Sequence, residues 1–313
     1  MAVAAYLGVI MLGGKPFCFY EGNVETQDWM WEECGIPVCE ETCNRPGLGQ
    51  NVSLPDCKEY VEDNPELQAA VSLFSGGGVG VGDNLEFLDD DLVKSTCRDD
   101  GRLLGIGNPL MVSPLQLQRM ASLCHPSIPH SCAGEIWSGF SIIAQHYFGV
   151  ILVAENPLYE EIGLSMVGLQ SFSDNVCHLV YMRDLAQAYL LGDCGRQGVS
   201  LPQQTSNQFM ILYTSSVLEM SEEVVKVVFL GELNKIGIVS PSRIEDMVVV
   251  GDSIIISLAG SEGERVVMSW MLWTEDFYDQ QFANTECIIG KGPETRMVVM
   301  VMDDSGEIGV DCM

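Results

Sequence analysis

Four histidines lie between residues 125 and 178, and three of them touch or nearly touch a cysteine: Cys124-His125, His130-Ser131-Cys132 and Cys177-His178. Cys124, His125, His130 and Cys132 fall within nine residues of one another in a stretch that also holds Pro126 and Pro129. Imidazole nitrogens and thiolates at that density could bind zinc or copper. The competing reading is a proline-rich loop closed by a Cys124–Cys132 disulfide, and it is preferred because metal thiolates compete badly with oxidation outside the cell. In that loop His125 and His130 stay free as general bases, since an unperturbed imidazole titrates near 6.5. His130, followed by His125, His146 and His178, is the expected acid–base group, and no metal is assigned.

Other chemistry is thinner. Gly163-Leu164-Ser165-Met166-Val167-Gly168 misses the G-x-S-x-G elbow by one residue. Gly251-Asp252-Ser253-Ile254 has the order of a GDSL block but reads as a hairpin turn. The glycine run 75–82 fits neither G-x-G-x-x-G nor a P-loop and is followed by acids, so it is read as a linker. Asp89-Asp90-Asp91, Asp99-Asp100 and Asp303-Asp304 could bind calcium weakly; none has the twelve-residue loop pattern, and solvated turns are the preferred account. Trp137 lies near Phe140, Tyr147 and Phe148. Trp270 and Trp273 stand three apart on an expected strand and so face opposite sides, which leaves one of them for a ligand. Trp137, Trp270 and Trp273 are the expected substrate-binding aromatics.

The elements that would carry these groups are mainly strands. After about residue 101 the chain becomes a series of short β-branched runs bounded by Gly, Pro, Asn or Asp, with expected strands at 140–146, 148–154, 178–182, 208–214, 224–230, 247–250, 254–258, 265–272 and 297–302. Gly251-Asp252 joins two of them. Helix is expected at 115–123, after Ser113-Pro114 as cap and first residue, and at 182–191. The fold class is mainly β: an antiparallel body at 101–313, propeller-like or a sandwich, with hairpins recurring every ~30 to 50 residues. Residues 15–100 form a small disulfide-rich N-terminal head and glycine-rich linker, and residues 1–14 are either a signal remnant or a first strand.

Composition bounds the rest. Twelve cysteines in 313 residues, an even number, point to an oxidising compartment and a secreted, extracellular protein. Asn51-Val52-Ser53 is a glycosylation sequon, with Asn51 in a Gly/Pro-rich loop. Forty-four acids against fifteen bases give a formal charge of −29, which argues against nucleic acid and anionic membranes as partners, because both are bound through Lys and Arg. Cys287 and Cys312 either tie the last strands together or reach back to close a ring.

In size, abundance of cysteine, acidity and lack of a familiar hydrolase or nucleotide motif, the chain resembles the secreted luciferases of syllid marine fireworms. The resemblance covers overall character and transfers no catalytic residue. It implies an enzyme without an organic cofactor that oxidises a small-molecule luciferin with dioxygen in a water-shielded pocket, where a histidine deprotonates the substrate. The alternative is a non-enzymatic secreted β-rich binding protein for a glycan or protein partner. An enclosed apolar pocket beside a histidine would mark the first, and an open aromatic or acidic face the second.

Overall fold

The computed structural model describes residues 10–12, 15–17, 64–77, 89–123, 134–156, 158–169, 177–191, 198–205, 208–220, 225–251, 253–273, 281–291, 295–301 and 308–312. The chain divides into two compact units, residues 1–64 and 65–313. The described residues 65–77 and 89–100 fall in the second unit. In the first unit the described residues form one hairpin, β1 (Ile10–Leu12) with β2 (Lys15–Phe17). Asn51 and the cysteines at 18, 34, 39, 43 and 57 lie outside the described residues.

The second unit opens with two helices. Helix α1 (Pro65–Phe74) begins on a proline, whose missing N–H costs nothing in the first turn, and it buries Ala70, Val71, Leu73 and Phe74. Helix α2 (Asp90–Thr96) is capped by Asp89, whose Oδ1 accepts from the N–H groups of Asp91 (3.1 Å) and Leu92 (2.9 Å). Asp89 thus takes up two otherwise orphaned helix donors, where the sequence suggested a solvated turn. Helix α3 (Pro114–Leu123) starts where Ser113-Pro114 predicts, and Ser113 Oγ accepts from the Gln116 N–H at 3.1 Å.

Every strand pairing among the described residues is antiparallel, and no closed barrel forms there. A six-stranded sheet has the order β3-β4-β5-β10-β7-β8, from β3 (Asn108–Val112), β4 (Glu135–Ile143), β5 (His146–Ala154), β7 (His178–Met182), β8 (Gln187–Leu191) and β10 (Phe209–Ser216). One four-stranded sheet joins β11 (Leu218–Met220), β12 (Val225–Gly231), β15 (Arg265–Trp273) and β16 (Gln281–Ile288). Another joins β13 (Ile244–Val250), β14 (Ser253–Leu258), β17 (Thr295–Val301) and β18 (Ile308–Cys312). A short pair, β6 (Glu160–Ile162) with β9 (Val199–Leu201), completes the set.

The central strands β5, β7 and β10 of the six-stranded sheet are buried on both faces. One face carries Ile136, Ile151, Val153, Val180, Met182, Met210 and Leu212, packed against Ile162, Val167, Leu169, Val199 and Leu201. The other presents Phe148, Val150, Tyr213 and Leu179, all buried. Phe229 meets Phe148 edge-on at 6.3 Å and Trp270 at 6.1 Å, so three aromatic rings link this second face to β12 and β15. Gly149 is required by close approach: a Cβ there would lie 2.4 Å from Thr214 Oγ1 and 2.9 Å from Leu169.

The expected helix at 182–191 is instead the end of β7, a 3-10 turn at Arg183–Leu185 and strand β8. Ala186, at φ 48°, turns the chain back, and pairing with β7 overrides the helix-forming composition of Leu185-Ala186-Gln187-Ala188. Cys287 and Cys312 form a disulfide with Cα atoms 5.6 Å apart, joining the edge strands β16 and β18. Of the two sequence readings, the cross-link between the last strands holds. Cys177 is also disulfide-bonded, whereas Cys97 is a half-buried free thiol.

Candidate functional site

Where β4, β5 and β10 run side by side, the register sets two rows on one face: Glu135–Ala154–Phe209, and Trp137–Leu152–Ile211. Ala154, Leu152 and Ile211 are buried, while Glu135, Trp137 and Phe209 are half-buried. The period of two along β4 puts Glu135 and Trp137 on the same side, and the indole Nε1–H donates to Glu135 Oε2 at 2.9 Å. That bond holds the ring, and Trp137 remains partly exposed.

Glu135 is the unusual acid of the patch. Burial pushes its carboxyl up to about 7; the Trp137 N–H opposes the shift, and the negative charge of Glu155 adds to it. Glu155 stands one residue past Ala154 with φ 49°, a left-handed conformation that a side chain with a Cβ adopts at a cost. The next residue holds it. Asn156 is fully buried: its N–H donates to Gln204 Oε1 (3.0 Å), its carbonyl accepts from the Gln204 N–H (2.7 Å), and its Nδ2 donates to the Leu158 carbonyl (2.7 Å). Its Oδ1 accepts from Arg119 Nη2 (3.3 Å), which also pairs with Glu160. Helix α3 thus braces the turn that places Glu155 beside Glu135.

The histidines are not gathered here. His125 and His130 lie outside the described residues, as do Cys124 and Cys132. His146 begins β5, six residues from the Leu152 row, about 20 Å at strand rise. His178 is buried on β7, on the opposite face of the sheet from Trp137, level with Leu191. Burial lowers the pKa of both His146 and His178, which favours the neutral imidazole.

Nor do the three tryptophans meet. Trp270 is buried under Phe229, and Trp273 is buried as well, at 4% exposure. The expectation that only one of this pair is core is corrected. They do face opposite sides of β15, but Val228, Met271 and Trp273 on the second face are buried too. Trp137 is the tryptophan of the three that keeps a surface.

A second polar centre is structural. Arg243, 1% exposed, donates to Glu232 Oε1 (2.6 Å) from Nε, to the Ala259 carbonyl (2.6 Å) from Nη1 and to Glu264 from Nη2. These partners end or precede β12, β14 and β15, and Ile244 begins β13, so one guanidinium ties the two four-stranded sheets. Although burial pushes Glu264 up, hydrogen bonds from Arg243 and from the Ser261 and Asp99 N–H groups bring it below the usual carboxylate range. Burial raises Glu232 against the pull of Arg243.

Two hollows border these elements. A cavity of about 10 Å³ lies between the face of the six-stranded sheet that bears Phe148 and the crossing at 237–239. An open groove of about 230 Å³ is lined by Leu73, Gly76, Leu103, Ile106, Pro241 and Ser242, with no charged side chain. Among the described residues no three His, Cys, Asp or Glu side chains come together to hold a metal, and no helix is long and apolar enough to cross a membrane. No protein-family model and no curated protein matches the chain.

The sequence alone does not mark the Glu135–Trp137 pair as a unit. One acid among 44 carries no distinguishing feature; the i, i+2 spacing on a strand is the available signal, but 135–139 precede the strand expected at 140–146.

Proposed function

We propose that this chain is a secreted, disulfide-stabilised β-rich binding protein whose recognition face is Trp137 and Phe209 with Glu135, and whose ligand is a glycan. The observation that carries the reading is the indole held by Glu135 at 2.9 Å, with a second half-buried aromatic, Phe209, two strands away on the same sheet face. Strand-borne aromatics supply apolar area at little entropic cost, and a carboxyl titrating near neutrality both donates to and accepts from sugar hydroxyls. The Cys287–Cys312 cross-link and the bonded Cys177 support secretion. Two-sided burial of the central strands of the six-stranded sheet supports a layered, sandwich-like body rather than a ring of blades.

A dioxygen-dependent luciferase needs a substrate-sized apolar chamber beside a histidine. Of the two hollows among the described residues, the one walled by the six-stranded sheet has room for about one water and lies on the opposite face of the sheet from His178, and the open groove has no histidine in its wall, so the binding reading is the one put forward. Titration calorimetry of the purified protein against a panel of neutral and acidic oligosaccharides tests it. Binding should weaken at least about tenfold in Trp137→Ala, the loss expected when a central aromatic is truncated. Unchanged affinity in that variant, or oxygen-dependent light from the protein with a luciferin, would overturn the reading.

A further inference from the structure

The small cavity has one polar side chain in its wall that nothing else explains. Ser215 lies on β10, level with Leu179 and Phe148, on the face that the crossing at 237–239 covers. It is 5% exposed, and its Oγ has no hydrogen-bond partner among the described residues. A buried hydroxyl left unpaired costs about 1–3 kcal/mol. The wall also includes Phe148, Phe229, Val150 and Ile106, which offer no polar atom from their side chains, the already bonded hydroxyls of Tyr213 and Thr214, and residues 237–239 of the crossing. The crossing is pressed close: a Cβ on Gly237 would lie 1.8 Å from the Leu104 carbonyl oxygen.

We propose that this cavity is a binding site for a single ordered water, which bonds Ser215 Oγ and a main-chain group of the 237–239 crossing and so bridges that crossing to the six-stranded sheet. The fit rests on size and on chemistry. A volume of about 10 Å³ accommodates one oxygen-sized guest, near the threshold of ~10–15 Å³ for one water. A water also requires two or more polar partners: Ser215 Oγ is one, and because the Ile238 N–H already donates to the Ile236 carbonyl and the Ile238 carbonyl already accepts from the Glu232 N–H, the second comes from the main chain of Gly237 or Val239 or from the remaining lone pair of the Ile238 carbonyl. The neighbouring hydroxyls are engaged elsewhere and do not compete for the guest. Thr214 Oγ1 already accepts from the Gly149 N–H at 3.1 Å, and Tyr213 Oη donates to the Ile236 carbonyl at 2.6 Å. The water thus continues a line of contacts that pins the crossing onto β10.

The test compares Ser215→Ala and Ser215→Val in the full chain by hydrogen exchange and thermal unfolding, with a crystal structure of the wild type. If the water bridges, the crystal shows ordered density within hydrogen-bonding distance of Ser215 Oγ. Both variants then exchange the amides of 237–239 about tenfold faster than wild type while the amides of β14 are unchanged. If the cavity is instead a dry packing flaw, removing the orphaned hydroxyl relieves its desolvation; both variants unfold at higher temperature with 237–239 exchange unchanged, and the proposal fails. Density absent from the cavity at a resolution that orders other internal waters also overturns it.

Discussion

The six-stranded sheet and the sheet of β13, β14, β17 and β18 are built from similar residues and solve different problems. In β5, every residue from Phe148 to Ala154 is buried; in β14, burial alternates, with Ile254, Ile256 and Leu258 inside and Ser253, Ile255 and Ser257 partly open. A sheet covered on both faces has no reason to alternate, whereas a sheet with one wet face must. The consequence is chemical. Beside a strand as fully buried as β5, a half-open carboxyl is unusual, so Glu135 with Trp137 at the end of β4 stands out where the exposed Val248 and Val250 of β13 do not.

The largest expected effect is at the node that joins the two four-stranded sheets. Arg243→Met leaves Glu232 and Glu264 buried without their cation, and breaking such a pair from one side costs about 3–5 kcal/mol. Urea unfolding should show that loss at pH 7 and a smaller one at pH 5, because both carboxyls, freed of the guanidinium, take up protons as the pH falls. An equal loss at both pH values would mean that packing, not charge, makes the node.

Next comes the matched substitution inside the two-sided sheet. Val150→Thr keeps the shape but buries a hydroxyl at a site 5% exposed, at an expected cost of about 1–3 kcal/mol. A chemical-denaturation midpoint unchanged from wild type would show that this face is wetter than its burial indicates.

Strand content was legible in the sequence for a reason the comparison explains. Runs such as Phe148 to Ala154 and Ile254 to Leu258 are apolar and β-branched whichever way their faces point, and their bounds agree with β5 and β14 to within a residue or two. What was hidden depends on partners. β8 carries helix-forming residues and becomes a strand through its ladder with β7, and β16 is largely exposed, with Cys287 its buried anchor. α2 lay inside an acidic run whose cap, Asp89, looks like any solvated aspartate until its two accepted bonds are seen. The site was hidden more deeply. Glu135 gains its character from lying opposite Ala154, beside a left-handed Glu155, and from burial under neighbours remote in sequence.

A smaller effect reads that character directly. Glu135 titrates at about 7 in the folded chain against about 4.5 for an unperturbed glutamate, so the folded state holds its proton more tightly. The contribution to stability is full below about pH 4.5 and is lost as the pH rises through 7. Discounted for partial solvent screening, the wild type should lose on the order of 1 kcal/mol relative to Glu135→Gln between pH 5 and pH 8. Parallel stability–pH curves for the two proteins would remove Glu135 as a group titrating near neutrality.

The smallest effect is the counterpart of Val150→Thr on the open face. Val248 lies on β13, 44% exposed, level with the half-buried Ile255 and the buried Val298 on the side of the sheet away from Ile254 and Ile256. Threonine there keeps the β-branched shape that suits a pleated surface, and its hydroxyl points to water, so no desolvation opposes it. Surface changes of this kind fall within about 0.5 kcal/mol. The same atom-for-atom exchange should therefore be costly in β5 and nearly silent in β13, measured under one denaturant and one buffer. A loss in Val248→Thr as large as that in Val150→Thr would mean that the open face of β13 is covered in solution, by a second copy or by chain outside the described residues, and that the contrast between a two-sided and a one-sided sheet does not hold.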